Sequence, residues 1–260
     1  MNLNLNNKNA LVCGSTQGIG KATAISLATE GANVTLVARN EDKLKQVLSE
    51  LPSPENHSYI VADFLNPEIL KEKVTTFIEA HHGFHILINN TGGPKGGPVF
   101  GAEISEFETA FTQHLKCNHV LAQAVVPFMK NEGFGRIISM ISTSVKQPLD
   151  GLGVSNTIRG AVASWSKTLA NELGQFGITV NNVLPGATGT ERLNEIIKNK
   201  SSKTGITIED ATTTMKNAVP AKRFAKPEEI ANAVSFLASE AASYINGINL
   251  PVDGGRTKSL

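Results

Sequence analysis

Cysteine and long apolar runs are scarce in this chain of 260 residues. Cys13 and Cys117 are its only cysteines, which is too few for a disulfide framework, and their spacing is not that of a metal site, so no metal is expected. No apolar run approaches the roughly 20 residues that span a bilayer. The Asn-rich start, residues 1–9, lacks the apolar core of a signal sequence. We therefore expect a cytoplasmic protein with no membrane partner.

Excess charge is also absent. The chain has 24 basic and 23 acidic residues, a net charge of +1, which gives no overall attraction to nucleic acid or to an anionic membrane. Hydrophobic residues make up 40% of the sequence, enough to bury a sizeable core. The composition therefore predicts a globular protein, and nucleic acid is not an expected partner.

The hydrophobic pattern alternates between short β-branched runs and longer helical segments. Strands are predicted at 10–12, 33–38, 58–62, 84–88, 136–142, 178–184 and 247–252. Helices are predicted at 21–30, 41–51, 67–80, 104–130, 154–173 and 227–239. This alternation is typical of an α/β fold, a doubly wound parallel sheet of about seven strands with helices on both faces. No linker divides the chain, so residues 1–260 are expected to form a single domain. Residues 190–220, rich in Lys, Thr and Ser, are predicted to be a mobile insertion that covers the substrate.

A glycine-rich stretch, residues 13–20, connects the first strand to the first helix, and we call it the glycine turn. Glycines allow the backbone to approach a pyrophosphate closely, and the free N–H groups at a helix start favour phosphate charge. The candidate cofactor-binding residues of this stretch are Gly14, Ser15, Gln17, Gly18, Ile19 and Gly20.

Further marks follow in a fixed order along nearly the whole chain. They are Asp63, the run Asn89-Asn90-Thr91-Gly92, Asn118, the run 135–138 leading to Ser142, Pro185-Gly186 with Thr190, and the run 252–255. With the glycine turn, these marks resemble the short-chain dehydrogenase/reductase family, in the branch of the 3-oxoacyl-acyl-carrier-protein reductases. The resemblance implies a Rossmann fold and a nicotinamide cofactor.

The resemblance also assigns cofactor contacts outside the glycine turn. Asp63 matches the residue that hydrogen-bonds the adenine, and Asn89 lies in a turn beside the adenosine. Thr190, after Pro185 and Gly186, matches the residue that binds the nicotinamide carboxamide. Arg39 ends the second strand, where an acidic residue would select NAD. Because a guanidinium can pair with a 2′-phosphate, NADP is favoured over NAD. Cys13 replaces a usual threonine and is interpreted as a small buried hydrophobic residue.

The family's catalytic residues are only partly retained. Ser142 matches the serine that holds the carbonyl, and Asn118 matches the asparagine of the proton relay. Ser155 stands where the family has its proton-donating tyrosine, and Arg159 where it has lysine. A serine hydroxyl is a far weaker acid than a phenol. Arg159 can keep the ribose contact and offer charge to an oxyanion, while Lys146 and a bound water are candidates for the missing donor.

Two further features lie near these residues. The run 91–98, TGGPKGGP, is longer than the family's usual link; we call it the glycine–proline loop. It is predicted either to shape the substrate pocket or to be a surface loop without chemical consequence. His114 and His119 flank Asn118 five residues apart, hence on different faces of a helix. They are interpreted as packing or exposed residues and not as metal ligands.

Three functions are compatible with this pattern. The first is an NADP-dependent oxidoreductase with an altered proton donor, acting on a small carbonyl or alcohol. The second is a catalytically silent NADP-binding sensor or partner subunit, because the family's tyrosine and lysine are both replaced. The third is non-redox chemistry such as dehydration. Small residues along helix 154–173, together with the resemblance, predict a homotetramer.

Overall fold

Seven parallel strands form a single sheet in the computed structural model, which describes residues 3–259. The strand order is β3-β2-β1-β4-β5-β6-β7. The strands are β1 (Asn9–Cys13), β2 (Asn33–Ala38), β3 (Ser58–Val61), β4 (Ile86–Asn89), β5 (Gly135–Met140), β6 (Ile178–Pro185) and β7 (Asn249–Val252). The predicted doubly wound parallel sheet is confirmed, and each predicted strand is present within a few residues.

Nine α-helices are found among the described residues. They are α1 (Gly18–Thr29), α2 (Glu41–Glu50), α3 (Pro67–Ala80), α4 (Ile104–Phe111), α5 (Cys117–Glu132), α6 (Gly153–Leu173), α7 (Glu191–Thr204), α8 (Ile208–Asn217) and α9 (Pro227–Ala238). Apolar residues of α1, α2 and α9 pack on one face of the sheet, and those of α3, α5 and α6 on the other. Because both faces are covered, the central strands are buried along their whole length and read as continuous apolar runs.

The carboxyl ends of all seven strands lie at one edge of the sheet, because the strands are parallel. The strand order reverses between β1 and β4. In open α/β sheets, ligands bind in the crevice at such a reversal, outside the carboxyl ends of the strands. The fold therefore directs attention to the segments that follow β1, β4, β5 and β6.

The single helix predicted over 104–130 is interrupted. A π-helical turn, Thr112–Lys116, separates α4 from α5. The helix α5 continues for five residues beyond Pro127 and ends at Glu132, where the next residue, Gly133, adopts a φ of 60°. Hydrophobic periodicity could not locate the π turn, because one extra residue in a turn hardly changes a pattern read over many turns. The insertion at 190–220 forms α7 and α8. Within residues 3–259, no helix is both long and apolar enough to cross a membrane.

Candidate functional site

The glycine turn is a tightly packed cradle at the carboxyl end of β1. Gly14 has a φ of 59°, and a Cβ atom there would lie 2.6 Å from the carbonyl oxygen of Asn90. A Cβ on Gly20 would overlap the carbonyl oxygen of Gly14. Gln17 precedes α1 without capping it through its side chain, and the first turn of α1 contains no acidic residue. The first N–H groups of α1 therefore remain able to bind an anion.

A backbone group of β2 and a side chain just after β4 hold this cradle. The backbone N–H of Val37 in β2 donates to the Oγ of buried Ser15 at 3.1 Å. The Nδ2 of Asn90 donates to the carbonyl oxygens of Cys13 and Gly14, both at 3.2 Å. Asn90 was not among the predicted site residues, although it stands in the same four-residue run as Asn89. Its role follows from the pairing of β1 with β4, which the local sequence does not reveal.

Asn89 has a different environment from its neighbour. It ends β4, is buried, and its Nδ2 donates to the Oγ of Ser139 in β5 at 3.4 Å. Its Oδ1 is buried and has no hydrogen-bond partner among residues 3–259. Asn89 therefore braces β4 against β5, while its predicted contribution to the adenosine side stays a prediction.

The residues predicted for the adenosine end follow β2 and β3. Arg39 comes directly after β2 and is exposed, two residues beyond Val37, whose carbonyl oxygen accepts a 2.8 Å hydrogen bond from the N–H of Gly14. Asp63 comes two residues after β3, and its Oδ1 accepts from the N–H of Leu65 at 3.0 Å. Both polar side chains thus lie at the same edge of the sheet as the glycine turn.

The residues after β6 meet the glycine turn from the other side. The N–H of Gly186, which follows Pro185, donates to the carbonyl oxygen of Val252 at 3.0 Å. Thr190 caps α7 by accepting from the N–H of Leu193 at 3.3 Å. Its Cγ2 lies 3.1 Å from the position that a Cβ on Gly18 would take. The structure therefore brings Thr190 against the glycine turn, although some 170 residues of chain separate them.

The residues predicted for catalysis are Ser142 just after β5, Asn118 in α5, and Ser155 and Arg159 in α6. We call these four residues the proton-transfer site, after that predicted role. Ser142 follows β5 and its Oγ accepts from the N–H of Ser144 at 3.1 Å. The Nη1 of buried Arg159 donates to the carbonyl oxygen of Met140 at 2.7 Å. Ser155 is half-buried one turn before Arg159 in α6. The end of β5 and the start of α6 are thus joined through the arginine.

Arg159 carries a buried charge. Burial lowers the pKa of its guanidinium to about 10, which leaves it protonated at pH 7. No acidic side chain pairs with it among the described residues. A buried cation without a counter-ion favours any anion, or any oxygen that gains negative charge, in its vicinity.

The histidines on either side of Asn118 differ. His119 is exposed, and its Nδ1 accepts from the Nε1–H of Trp165 at 3.4 Å. His114 is buried in the π turn and its Nδ1 lies 2.6 Å from the Oγ1 of Thr91. Burial, and then the charge of Arg159, lower the pKa of His114 to about 2, so its imidazole is neutral at pH 7. Asn118 is buried, four residues after His114.

No tyrosine of the described chain supplies the missing phenol. The hydroxyl of Tyr59 in β3 donates to the Oε1 of Glu41 at 2.9 Å, and Tyr244 is fully exposed just after α9. Lys146, a candidate donor, follows a 3₁₀ turn that begins directly after Ser142. Neither tyrosine therefore makes a hydrogen bond to Ser142, Ser155 or Arg159 among the described residues.

The glycine–proline loop connects the proton-transfer site to the insertion. The N–H of Gly153 donates to the carbonyl oxygen of Gly97 at 3.0 Å, at the first residue of α6. The Nη2 of Arg192 in α7 donates to the carbonyl oxygen of Pro94 at 2.6 Å. The loop therefore lies between the start of α6, next to Ser155, and the first turn of α7.

This geometry suits a dinucleotide. The cradle leaves no room for a Cβ at Gly14 or Gly20, so the backbone itself can meet a pyrophosphate. The guanidinium of Arg159, which has no acidic partner among the described residues, favours negative charge on a ligand in its vicinity. For a metal the finding is different. Within the described ranges, no three His, Cys, Asp or Glu side chains are grouped so that they could hold an ion.

Comparison with known proteins agrees with this geometry. The family profile described as "Enoyl-(Acyl carrier protein) reductase" matches residues 14–257. The chain is 30% identical to the NADPH-dependent reductase BacG of Bacillus subtilis, covering 98% of this chain and 100% of that protein. It is 32% identical to the 3-oxoacyl-[acyl-carrier-protein] reductase FabG of Staphylococcus epidermidis, covering 96% and 98%.

A solved structure extends the comparison to three dimensions. The L-sorbose reductase of Gluconobacter frateurii, crystallised with NADPH and L-sorbose, superposes with a TM-score of 0.93 at 32% identity, and each chain is covered completely. The sequence and the fold lead to the same conclusion: the chain belongs to the short-chain dehydrogenase/reductase family.

Proposed function

We propose that this protein is an NADP(H)-dependent oxidoreductase that interconverts a small carbonyl compound and its alcohol, with an altered proton donor. The observation that carries the proposal is the glycine cradle at the start of α1, in contact with Thr190 and at the same sheet edge as Ser142 and Arg159. The relatives BacG and L-sorbose reductase, which are named for NADPH or crystallised with it, support the choice of cofactor. Exposed Arg39 is available to pair with a 2′-phosphate.

NADPH, when bound, supplies a hydride to the carbonyl carbon. The glycine turn and the first N–H groups of α1 would hold the pyrophosphate, with Asp63 and Asn89 on the adenosine side. Pro185, Gly186 and Thr190 would hold the nicotinamide end. The remaining task belongs to the protein, which must stabilise negative charge on the substrate oxygen and deliver a proton to it.

Ser142 and Arg159 are suited to the charge on that oxygen. The Ser142 hydroxyl can donate a hydrogen bond while its Oγ is held by the N–H of Ser144. Arg159 is charged, buried and bonded to the end of β5, so its field acts where water screens it little. Asn118, two residues beyond the π turn, can order a water in the proton relay. The relative FabG makes 3-oxoacyl thioesters one substrate class to test.

The test separates binding from turnover. Titration with NADPH followed by its fluorescence should give saturable binding, tighter than for NADH. NADPH oxidation should then be measured with 3-oxoacyl thioesters, ketoses and simple ketones. Ser142→Ala should lower turnover on the order of 100-fold and leave the NADPH dissociation constant unchanged. Turnover that survives Ser142→Ala intact would contradict the assignment of this site.

A catalytically silent NADP-binding protein is the second candidate. The observation in its favour is that Ser155 and Arg159 replace a tyrosine and a lysine, with both tyrosines elsewhere in the structure. Tight NADPH binding without oxidation on the whole panel would support this sensor or partner subunit.

The assembly and location are proposed as well. We propose a homotetramer in the cytoplasm. On α6, Ala161 is half-buried and Ser164 is exposed, and such small side chains allow close packing against the same helix of another copy. The cytoplasmic location is supported by the two cysteines, which are both free thiols. Light scattering that gives the mass of a monomer would refute the tetramer.

A further inference from the structure

His114 is a buried titratable residue near Arg159 to which the mechanism proposed above assigns no role. Its side chain is 2% exposed. It lies in the π turn 112–116, four residues before Asn118. Residues four apart on a helix lie on the same side of it, so His114 and Asn118 share a face. Single π turns within helices frequently occur at functional sites.

One nitrogen of this imidazole is held and the other is not. Nδ1 lies 2.6 Å from the Oγ1 of Thr91, and that hydroxyl has no other hydrogen-bond partner in the described chain. If Thr91 donates to Nδ1, both groups are satisfied and the ring hydrogen resides on Nε2. Nε2 is buried and has no partner among residues 3–259. A buried donor left in this state costs about 1–3 kcal/mol, so its retention calls for an explanation.

The surroundings keep this ring neutral. Burial and the neighbouring charge of Arg159 both oppose a second proton on His114. A neutral imidazole is a hydrogen-bond donor that can polarise a carbonyl oxygen without first being charged. Thr91, by contrast, is half-exposed and begins the glycine–proline loop. The pair therefore connects the loop to the buried side of the site.

We propose that His114, oriented by Thr91, is a proton-relay residue that does for this protein what the family's phenol does elsewhere. This inference rests on the oxidoreductase function proposed above. The relay moves protons only. As the substrate oxygen gains its proton, the Nε2–H bond breaks and the product O–H bond forms, directly or through one bridging water. The Thr91 hydroxyl proton passes to Nδ1, and solvent returns a proton to the Thr91 oxygen.

The ring must then regain its starting tautomer. Nε2 accepts a proton from a water that takes the place of the departing alcohol, Nδ1 returns its proton to the Thr91 oxygen, and the hydroxyl proton of Thr91 leaves to solvent. The sum is one proton taken from solvent for each alcohol formed. Because an imidazolium is disfavoured beside Arg159, the two transfers at the ring must be concerted.

The test uses paired variants. His114→Phe keeps a ring and removes both nitrogens, Thr91→Val removes the hydroxyl at constant shape, and Thr91→Ser keeps the hydroxyl as the matched control. Turnover should fall on the order of 100-fold in His114→Phe and about tenfold in Thr91→Val, with loss of the solvent isotope effect. Thr91→Ser, which keeps the hydroxyl, should recover most of the turnover that Thr91→Val loses, together with the solvent isotope effect, and NADPH affinity should be unchanged in His114→Phe.

A second readout does not require activity. Nitrogen-15 NMR of the imidazole, in the protein with and without NADPH, should show the Nε2–H tautomer in wild type and a mixture in Thr91→Val. An Nδ1–H tautomer in wild type overturns the relay, and so does full activity of a folded His114→Phe in an active enzyme. If the wild type turns nothing over, the proposed function fails together with the relay. If His114→Phe does not fold, the Thr91 pair and the tautomer decide.

Discussion

The nucleotide-binding part and the proton-transfer part of the site lie at one edge of the sheet, but the first consists mainly of backbone atoms and the second of side chains. The glycine turn is mostly backbone, packed so closely that a Cβ at Gly14 or Gly20 would overlap its neighbours. The proton-transfer site consists of side chains on α5 and α6 and of Ser142 just after β5. The backbone of a helix is little changed when one of its half-buried side chains is replaced by another, as is predicted for the family's tyrosine at Ser155. Chemistry can therefore be altered in the second part while the first stays fixed by geometry.

Gly20→Ala should produce the largest effect, because it attacks the backbone part alone. The added Cβ meets the carbonyl oxygen of Gly14 and lies 2.6 Å from the Nδ2 of Asn90, and such overlap costs about 1–3 kcal/mol or more. We expect NADPH binding to weaken on the order of 100-fold by fluorescence titration. Gly101→Ala, where a Cβ meets nothing within 4 Å, is the control. Equal NADPH affinity of the two variants would show that the cofactor does not bind in the cradle.

Acid should weaken the fold through the proton-transfer part. The pKa of His114 is about 2 in the folded protein and about 6.5 in the unfolded chain. Between these values the unfolded chain binds more protons, so stability falls as the pH drops below about 6.5. From pH 7 to pH 5, wild type should lose about 2 kcal/mol more of its free energy of unfolding than His114→Phe. Urea unfolding at both pH values measures this difference.

The matched control for this pH dependence is His82→Phe, at an exposed histidine. Its free energy of unfolding should change with pH as that of wild type does. A His114→Phe protein with the wild-type pH dependence would mean that the imidazole accepts a proton in the folded state, contrary to its described surroundings.

Arg39→Glu should change the selection of the cofactor and leave chemistry alone. A carboxylate at the end of β2 would repel a 2′-phosphate and can accept from a ribose 2′-hydroxyl. We expect NADPH binding to weaken about tenfold or more and NADH binding to improve, since a hydrogen bond to a charged group contributes about 1.5–3 kcal/mol. Lys71→Glu makes the same charge change on the surface of α3 and should alter neither affinity. The measurement is titration with both nucleotides.

Arg192→Ala should have the smallest effect, since it removes one hydrogen bond between α7 and the glycine–proline loop. Its Nη2 donates to Pro94 at 2.6 Å, a contribution of about 0.5–1.5 kcal/mol. We expect KM for the substrate to change two- to fivefold at constant NADPH affinity. Lys198→Ala, also on α7 but exposed, is the control. An unchanged KM would indicate that the loop is a surface loop without chemical consequence.

The fold could be predicted from the sequence because the two signals that indicate it are both local. Apolar runs and helical spacing predicted the seven strands and their order of alternation, and the glycine turn predicted the start of α1. Physical reasons explain what it missed. The contact of Thr190 with the glycine turn, and the bond from Asn90 to Cys13 and Gly14, join segments that are distant in sequence. Such pairs depend on the order of strands in the sheet.

His114 illustrates a second limit of sequence reading. Its spacing from His119 predicts different helix faces, which excludes a metal pair but says nothing about burial. The structure buries His114 against Thr91 and leaves His119 exposed. The π turn that causes this depends on one additional residue within a helix, which a period of 3.6 does not distinguish. The predicted replacement of the family's Tyr and Lys by Ser155 and Arg159, in contrast, needs no folded structure, because it depends on residue identity alone, and it stays a prediction.

The π turn also makes α4 and α5 separate parts of one rod. It accommodates one residue more than an α-helical turn, because each residue of a π turn rotates the chain by less than the about 100° of an α-helical residue. Deleting a residue between Thr112 and Lys116 would therefore restore a continuous α-helix and leave α4 facing nearly the same way relative to α5. Phe107 would keep its packing against Val154 and Ile158 of α6. The additional residue thus alters the local surroundings of His114 and not the orientation of the wall in front of α6.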